Sequence, residues 1–409
     1  MIGVFERTRA LPARAYAAAP GQRRTTIIWF LLVTTTLDWS GVNALVRLPG
    51  FVEQLLTGAL TMLVIALLVQ RNLRLKLDFD YFLSSYVVLF VVSLVPFLAG
   101  YAGLGSVARS FRFGLVVVAG LLLVESTGER RFSLLDAHYN VVAFLSTFSL
   151  LSIPLSPSRA FAEAGRLNGI VLPMAATRLG AVGGVTAGLA VLRCSDAARR
   201  RQRDILFVAI GIAVVLLTNT RTALIAFAVS VVFSLVVLAR RVPRVRGILA
   251  LSGVLISVMP LLFSQYAQRW FNRGQSASEL TSLTGRRVTW NLVLDFKRTT
   301  MQRYFGLGLS NKTVFGRAID NGWLAIFHTQ GFIGIGIVAV LLLVLLGKVG
   351  FERDPLARSI ALFLVCYSLV SSYSETGIGD VSFYFLGLLA VDAMVRSRRT
   401  TPSASSYAD

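Results

Sequence analysis

The chain has 409 residues, of which 55% are hydrophobic and only 15% are charged, and its mean hydropathy is +0.69. Ordinary soluble domains carry about 25% charged residues, so this composition excludes a soluble globular protein and indicates a polytopic membrane protein. The net charge of +21 does not indicate a nucleic-acid partner, because the basic runs at 199–203 and 240–246 adjoin apolar segments, where cytoplasmic membrane anchors belong.

Apolar runs near 20 residues recur along the whole chain, and most are long enough as helices to cross a hydrocarbon core about 30 Å thick. We predict an all-α fold with about twelve transmembrane helices. The predicted segments, in chain order, are 25–40, 51–70, 79–98, 110–125, 136–154, 170–192, 205–218, 222–239, 247–265, 321–346, 357–373 and 379–395. The arginine-rich start resembles a signal peptide, but no small-residue cleavage site follows, so the first helix is expected to be retained.

Lysine and arginine in the short loops set the orientation of a membrane protein. If both termini lie on one side, the segments on that side hold 25 lysines and arginines. The five short loops on the other side hold only Arg47, Arg109, Arg159, Arg166 and Arg221. This asymmetry predicts a multi-pass protein of the cytoplasmic membrane with both termini in the cytoplasm.

The predicted helices divide the chain into five regions. They are a cytoplasmic N-terminal tail at 1–24, transmembrane helices one to nine at 25–265, an extracytoplasmic loop at 266–320, transmembrane helices ten to twelve at 321–395, and a disordered cytoplasmic tail at 396–409. A loop as long as 266–320 is usually functional or disordered. Within it, the stretch TGRRVTWNLVLDF carries Val288, Leu292 and Phe296 four residues apart, which predicts an amphipathic helix at 284–296 lying across the outer face.

The stretch LLTNTRTALIAF at 216–227 places a permanent charge, Arg221, between two apolar runs. An ionisable residue near bilayer depth is expensive and indicates a functional role by default. The predicted topology puts Arg221 in a tight outer turn between helices seven and eight, on the same side as the long loop. The last outer loop adds Glu375 and Asp380. Arginines and acids that converge on the outer face suit an anionic, lipid-embedded substrate.

Four short motifs follow one another along the chain. They are Thr-Arg-Thr-Ala-Leu at 220–224, Gly-Arg followed by a tryptophan at 285–290, Phe-Gly-Leu-Gly-Leu-Ser-Asn at 305–311, and Asp-Asn-x-x-Leu at 320–324 with a glycine seven residues after the leucine. In this order they resemble the O-antigen ligase and polymerase superfamily of membrane glycosyltransferases, over roughly 160–395. The resemblance implies a GT-C-type helical fold and an inverting reaction that needs no metal and no cofactor.

The resemblance also implies the partners. They would be a glycan donor linked to a polyprenyl pyrophosphate, a glycan or glycolipid acceptor with a reactive hydroxyl, and membrane lipids. A polymerase of the same superfamily shares the donor and differs only in its acceptor, so the sequence does not separate ligase from polymerase. A transporter or flippase for the same lipid is less favoured, because no internal repeat stands out and the charges gather at one face.

The resemblance places Arg221 and Arg286 on the two essential arginines of the superfamily, with Arg287 an adjacent alternative. A pyrophosphate leaving group needs cations to offset its developing charge, and the planar fork of arginine does this bidentately while staying ionised. Arg178, within ATRLG on the sixth helix, is expected to pair with an acid or to line the groove for the lipid carrier, because a buried arginine is costly.

Asp320 and Asn321 stand where the superfamily usually has His-Asn, and the histidine there is thought to deprotonate the acceptor. Aspartate is a weaker base than histidine at neutral pH, although partial burial raises the pKa of a carboxyl. Asp320 and Glu375 are therefore rival candidates for the base, and Asn321 is a candidate for substrate binding. Asp320 is also a suitable helix N-cap by type and place. His328 lies two turns deeper and is expected to pack.

Overall fold

The computed structural model describes residues 21–41, 44–70, 80–127, 132–163, 165–195, 201–243, 245–247, 249, 286–375 and 377–396. The two predicted tails, the predicted ninth transmembrane segment and the part of the long loop before residue 286 lie wholly or almost wholly outside these residues. The described chain is predominantly helical.

The described helices follow one another with mostly short connections. They are α1 (Gln22–Thr34), α2 (Gly50–Val69), α3 (Tyr81–Leu98), α4 (Leu104–Thr127), α5 (Ser133–Leu150), α6 (Ser152–Leu155), α7 (Pro157–Ala160), α8 (Ala176–Cys194), α9 (Arg201–Leu217), α10 (Arg221–Ala239), α11 (Arg286–Asp295), α12 (Thr300–Phe305), α13 (Gly322–Gly350), α14 (Pro355–Ser371) and α15 (Phe383–Arg396). The described chain also contains an antiparallel hairpin of β1 (Thr313–Val314) and β2 (Arg317–Ala318).

Among the described residues, six helical segments are long and apolar enough to cross a membrane. They are Gly50–Val69, Tyr81–Leu98, Leu104–Thr127, Ser133–Leu155, Arg221–Ala239 and Gly322–Gly350. The protein is therefore an all-α polytopic membrane protein, as predicted. Helices occupy eleven of the twelve predicted segments, and the remaining one, 247–265, lies almost entirely outside the described residues. The number of twelve crossings and their orientation stay predictions.

The fourth helix is longer than predicted. It begins at Leu104 instead of residue 110. The sequence assigned Arg109 to an outer loop because of its charge, but Arg109 lies within α4 and its Nη1 donates to the Leu309 carbonyl at 3.3 Å. A charged side chain is tolerated in the helix here because a tertiary acceptor is available to it.

The sixth predicted helix, α8, starts later than predicted. It begins at Ala176 instead of residue 170. Pro173 interrupts the apolar run, and Gly169 pairs with Met174 in an isolated bridge ahead of the helix. The Asn168 side chain accepts a hydrogen bond from the Ala176 N–H at 2.8 Å. This long-range contact marks the start of the helix, and local sequence gives no sign of it.

Glycines let α8 pack closely on its neighbours, as small residues do between membrane helices. A Cβ added at Gly183 would come within 2.8 Å of Val214 in α9. One added at Gly180 would come within 2.8 Å of Thr220, the residue before α10. The first turn of α8 is therefore held beside the first turn of α10, and the candidate site depends on this arrangement.

α13 is broken near its start at Gly331, whose φ of 68° and ψ of −165° leave the helical region. The break exposes carbonyls that accept hydrogen bonds from the glycine-rich turn at 305–311. Leu307 donates its N–H to His328 at 2.8 Å, and Gly308 donates its N–H to Thr329 at 2.9 Å. The glycine-rich turn thus packs by its backbone against the break in α13.

The amphipathic stripe predicted for α11 is confirmed only in part, since Leu292 and Phe296 pack partly buried against a small core. Thr289 and Val293 are buried, whereas Val288 is 48% exposed. Val293 packs with Val314 of the hairpin and with Ile319. The predicted stripe was wrong at Val288, because a strict four-residue spacing drifts around a helix with 3.6 residues per turn.

The C-terminal ends of α13 and α15 carry a separate cluster of charges beside the N-cap of α3. Lys348 pairs with Asp80 and lies 3.2 Å from Asp392, which is fully buried. Arg396 lies 3.6 Å from Asp80 and 3.7 Å from Asp392. The four residues lie at or next to segments that the sequence predicts to be cytoplasmic, and that orientation stays a prediction.

Candidate active site

A tight turn fixes Arg221 as the first residue of α10. Asn219 in this turn has a positive φ of 48°, a conformation that asparagine adopts more readily than most residues. Arg166 holds the turn from a distant loop, because its Nε donates to the Thr218 carbonyl at 3.1 Å and its Nη2 donates to the Thr220 hydroxyl at 3.3 Å. The turn therefore places a guanidinium group at the exposed end of a membrane helix.

Arg286 and Asp320 form an ion pair. Arg286 begins α11 and Asp320 lies just before α13, yet the Arg286 Nε and Asp320 Oδ2 atoms are 2.6 Å apart. Trp290, one turn further along α11, donates its Nε1 to the other oxygen of Asp320 at 3.4 Å. The Arg286 and Asp320 side chains are 29% and 33% exposed, so a substrate can reach both.

Asn321 caps α13. Its Oδ1 accepts from the Leu324 N–H at 2.9 Å, and its Nδ2 donates to the Tyr373 carbonyl at 2.8 Å. The expectation that Asp320 caps this helix is wrong by one residue, because Asn321 is the residue with extended backbone before the first turn. Asp320 is left to face Arg286, and Asn321 holds the start of α13 against the loop between α14 and α15.

Glu375 lies in that last loop. Ser374 ties the loop to α10 through a 2.6 Å hydrogen bond from its Oγ to the Thr222 hydroxyl. Burial raises the pKa of Glu375 to about 7, against the lowering effect of the Arg286 and Arg178 charges. Its Oε1 atom is buried and accepts no hydrogen bond within the part of the chain that the structure describes. A carboxyl that titrates near neutral pH is suited to accept a proton.

Arg178 lies in the first turn of α8, and its side chain is exposed. The expectation of an arginine buried within the sixth helix was wrong, because that helix starts later than predicted. Its Nη1 donates to the Thr36 carbonyl at 2.6 Å, and its charge acts on Glu375. Arg178 also lines a cleft that reaches Gly322 at the start of α13.

The structure brings these charged side chains together from distant parts of the chain. The charge of Arg286 acts on both Arg221 and Glu375. The charges of Arg178 and Asp320 also act on Glu375. Arg178, Arg221, Arg286, Asp320 and Glu375 are called the arginine–carboxylate cluster below.

Two arginines of this cluster occupy the first turn of a helix, Arg178 in α8 and Arg221 in α10, and Arg286 is the first described residue of α11. The helix dipole carries a partial positive charge at the N-terminal end, so it disfavours a cation there. The same end favours a bound anion, because its N–H groups point outward. The two helix N-termini and the three cations therefore favour an anionic ligand.

Arg287 and His328 lie outside the cluster. The Arg287 side chain is exposed and makes no hydrogen bond or ion pair with any residue in the described ranges. His328 is buried in α13, where its Nδ1 lies 2.9 Å from the Nη2 of Arg298 and its ring lies against Phe296. His328 therefore does not stand in for the histidine that the motif lacks.

Three further residues near the site have weak or no signals in the sequence. Trp290 belongs to a motif that does not indicate its hydrogen bond to Asp320. Arg166 contributes to the loop charges, which do not indicate that it supports the turn before Arg221. Lys312 pairs with Asp380 at 2.6 Å. Lysine is rare in this chain, which contains only four. This rarity does not indicate which residue Lys312 pairs with.

Residues 206–339 match the family model described as O-Antigen ligase. The matched segment includes Arg221, Arg286 and Asp320, whereas Arg178 and Glu375 lie beyond its two ends. The match confirms the resemblance drawn from the four motifs, over a shorter stretch than the expected 160–395. No curated protein matches the chain.

Proposed function

Because residues 206–339 match the family model described as O-Antigen ligase, we propose that this protein is a glycan ligase of the cytoplasmic membrane. It moves a glycan from a polyprenyl-pyrophosphate carrier to an acceptor hydroxyl on the outer face. The arginine–carboxylate cluster carries the proposal, because it joins three guanidinium groups with two carboxyls at accessible helix ends. The reaction needs both kinds of group, since a pyrophosphate must leave and a hydroxyl must lose its proton.

The arginines act on the leaving group. As the bond between the sugar and the pyrophosphate breaks, negative charge grows on the leaving oxygen, and preorganised cations stabilise that charge. Arg221 and Arg286 are proposed to hold the pyrophosphate, and Arg178 adds a third positive charge. In the structure Arg286 is paired with Asp320. A pyrophosphate carries more negative charge than a carboxylate and accepts bidentate hydrogen bonds, so the pyrophosphate competes with Asp320 for the Arg286 guanidinium.

Glu375 is proposed as the general base, and Asp320 as the residue that orients Arg286. The acceptor hydroxyl forms its new bond to the anomeric carbon on the face opposite the pyrophosphate. The old bond to the pyrophosphate breaks, the configuration inverts, and the hydroxyl proton passes to Glu375. A pKa near 7 suits this role at neutral pH. Asp320 is the alternative base, because its carboxylate is the more exposed of the two.

The test is a transfer assay with purified protein, lipid-linked glycan extracted from membranes, and an acceptor. Release of the carrier pyrophosphate on adding acceptor is measured. We expect Arg221→Ala and Arg286→Ala each to lower the rate by about 100-fold or more, the usual effect of removing a group that stabilises transition-state charge. Arg287→Ala is the matched control and should keep near wild-type activity. Equal effects of Arg286→Ala and Arg287→Ala would rule out the cluster as the site.

Ligase and polymerase activities are separated by what cells accumulate. Both activities use the same donor, so the purified-donor assay alone does not distinguish them. A cell without its ligase should accumulate long lipid-linked chains, whereas a cell without its polymerase should display single repeat units. We expect the long lipid-linked chains on deletion of this protein.

A further inference from the structure

A cleft opens beside the arginine–carboxylate cluster at the start of α13. Three charged residues line the cleft, Arg178, Lys312 and Asp380, and the last two form an ion pair. Its aliphatic lining includes Leu309, Ile319, Ile326 and Val381. Gly322, which follows the cap residue Asn321, also lines the cleft, and Arg178 is the one member of the cluster among the lining residues.

Lys312 and Asp380 form an ion pair within this cleft. Their Nζ and Oδ2 atoms are 2.6 Å apart, and the lysine side chain is 51% exposed against 19% for the aspartate. The other oxygen of Asp380 accepts from the Val381 N–H at 2.6 Å. Asp380 is thus held by its own backbone, whereas Lys312 is a long, flexible side chain open to solvent.

Asp380 does not depend on Lys312 alone. Burial by itself would raise the pKa of Asp380, but the Lys312 ammonium, the Val381 N–H and the Arg112 charge together hold that pKa below its usual range. Arg112 is fixed in α4 by a hydrogen bond to the Thr35 carbonyl. Asp380 therefore keeps a nearby cation when Lys312 turns to another partner.

The lining is complementary to a ligand in which a phosphate is joined to a hydrocarbon chain. Cations bind the phosphate oxygens, and aliphatic side chains cover apolar surface of the ligand. A free anion would leave the aliphatic residues without a contact, and a hydrocarbon alone would leave the cations without one.

We propose that this cleft holds the carrier end of the donor, and that Lys312 exchanges Asp380 for the phosphate nearest the lipid. The first isoprene units then lie on the aliphatic residues, while the sugar-linked phosphate reaches Arg221 and Arg286. This inference rests on the proposed function, because it locates one end of the donor named there.

Binding of undecaprenyl pyrophosphate to the purified full-length protein in detergent tests the proposal. This probe carries the lipid and both phosphates but no glycan. Lys312→Gln is expected to weaken the affinity about tenfold, the effect of losing one charged hydrogen bond. Arg317→Gln, an exposed charge on the same hairpin that does not line the cleft, should bind as the wild type does. Asp380→Asn should bind equally well or better, because it releases Lys312.

Three results would overturn the proposal. Wild-type affinity in the Lys312→Gln variant would show that Lys312 does not bind the phosphate. Equal weakening by Lys312→Gln and Asp380→Asn would mean that the ion pair only supports the local fold. Inorganic pyrophosphate binding as tightly as the lipid would show that the aliphatic residues take no part.

Arg286→Ala separates this proposal from the proposed function. If Arg286→Ala weakens binding of undecaprenyl pyrophosphate and Lys312→Gln does not, only the placement of the carrier end fails. If neither variant weakens binding, the proposed function fails as well.

Discussion

Asp320 and Glu375 belong to the same cluster, but their surroundings differ. Asp320 is 33% exposed, forms an ion pair with Arg286 and accepts a hydrogen bond from Trp290. The Oε1 atom of Glu375 is buried and has no donor among the described residues. Two carboxyls in different environments take different roles in acid–base sites. The exposed acid is suited to orient a cation, and the buried one to exchange a proton.

The pH dependence of the reaction tests this division of roles. The base must be ionised to accept a proton, and the pKa of Glu375 is about 7, so the wild-type rate should rise as the pH increases through 7 and then level off. Glu375→Gln should lower kcat by about 10²- to 10⁴-fold and remove the rise. Asp320→Asn should lower the rate but keep the rise. The opposite pattern would assign the base to Asp320.

Individual site residues could be predicted where they belong to a short motif. They could not be predicted where a tertiary contact determines the role of the residue. Arg221, Arg286 and Asp320 lie in motifs whose local register is visible in the sequence. The choice of Asn321 as the cap depends on which of two adjacent residues has extended backbone. The pairing of Lys312 with Asp380 joins two loops, and nothing local to either residue indicates it.

Helices were predictable as elements because membrane-spanning apolar runs are long, whereas their ends were not. α8 starts where Asn168 and Pro173 allow, and this start exposes Arg178 in the first turn of the helix. The break in α13 was not predicted either, although Gly331 follows the polar stretch His-Thr-Gln at 328–330. Backbone hydrogen bonds from the preceding turn explain the break. Such contacts leave no periodic pattern in the sequence.

The break in α13 provides a test at this scale. A Cβ at Gly331 would come within 2.3 Å of the Tyr304 backbone, and its positive φ of 68° disfavours any other residue. Gly331→Ala should lower the free energy of unfolding by about 1–3 kcal/mol and reduce transfer, because the break positions the start of α13 and Asp320.

Gly336→Ala is the matched control for this break. A Cβ at Gly336 meets nothing within 4 Å, so the alanine should be neutral or slightly stabilising in the helix. Thermal unfolding of the two variants in detergent gives the comparison. Equal stability of Gly331→Ala and Gly336→Ala would contradict the structural role of the break.

Among the described residues, two charged clusters lie at opposite ends of α13. The arginine–carboxylate cluster lies at the start of α13, and the cluster of Lys348, Asp80, Asp392 and Arg396 includes its last turn. The loop charges of the sequence predict that the second end faces the cytoplasm, because lysine and arginine accumulate on that side. The sequence could not predict which residues meet within each group, since these contacts join distant helices.

Cysteine labelling in right-side-out membrane vesicles tests the orientation. In a variant whose two native cysteines, Cys194 and Cys366, are replaced, single cysteines are introduced at Phe315 in the hairpin and at Arg353 between α13 and α14. Both positions are exposed. A membrane-impermeant maleimide should label position 315 in sealed vesicles and position 353 only after permeabilisation. Labelling of both positions from the same side would contradict the predicted topology.

The most direct measurement is an experimental structure with undecaprenyl pyrophosphate bound. The account predicts that phosphate oxygens lie within about 3 Å of the guanidinium nitrogens of Arg221 and Arg286, with the Arg286–Asp320 ion pair opened to admit them. Phosphates bound elsewhere, for example beside Lys348 and Arg396 at the other end of α13, with the arginine–carboxylate cluster unchanged, would contradict it.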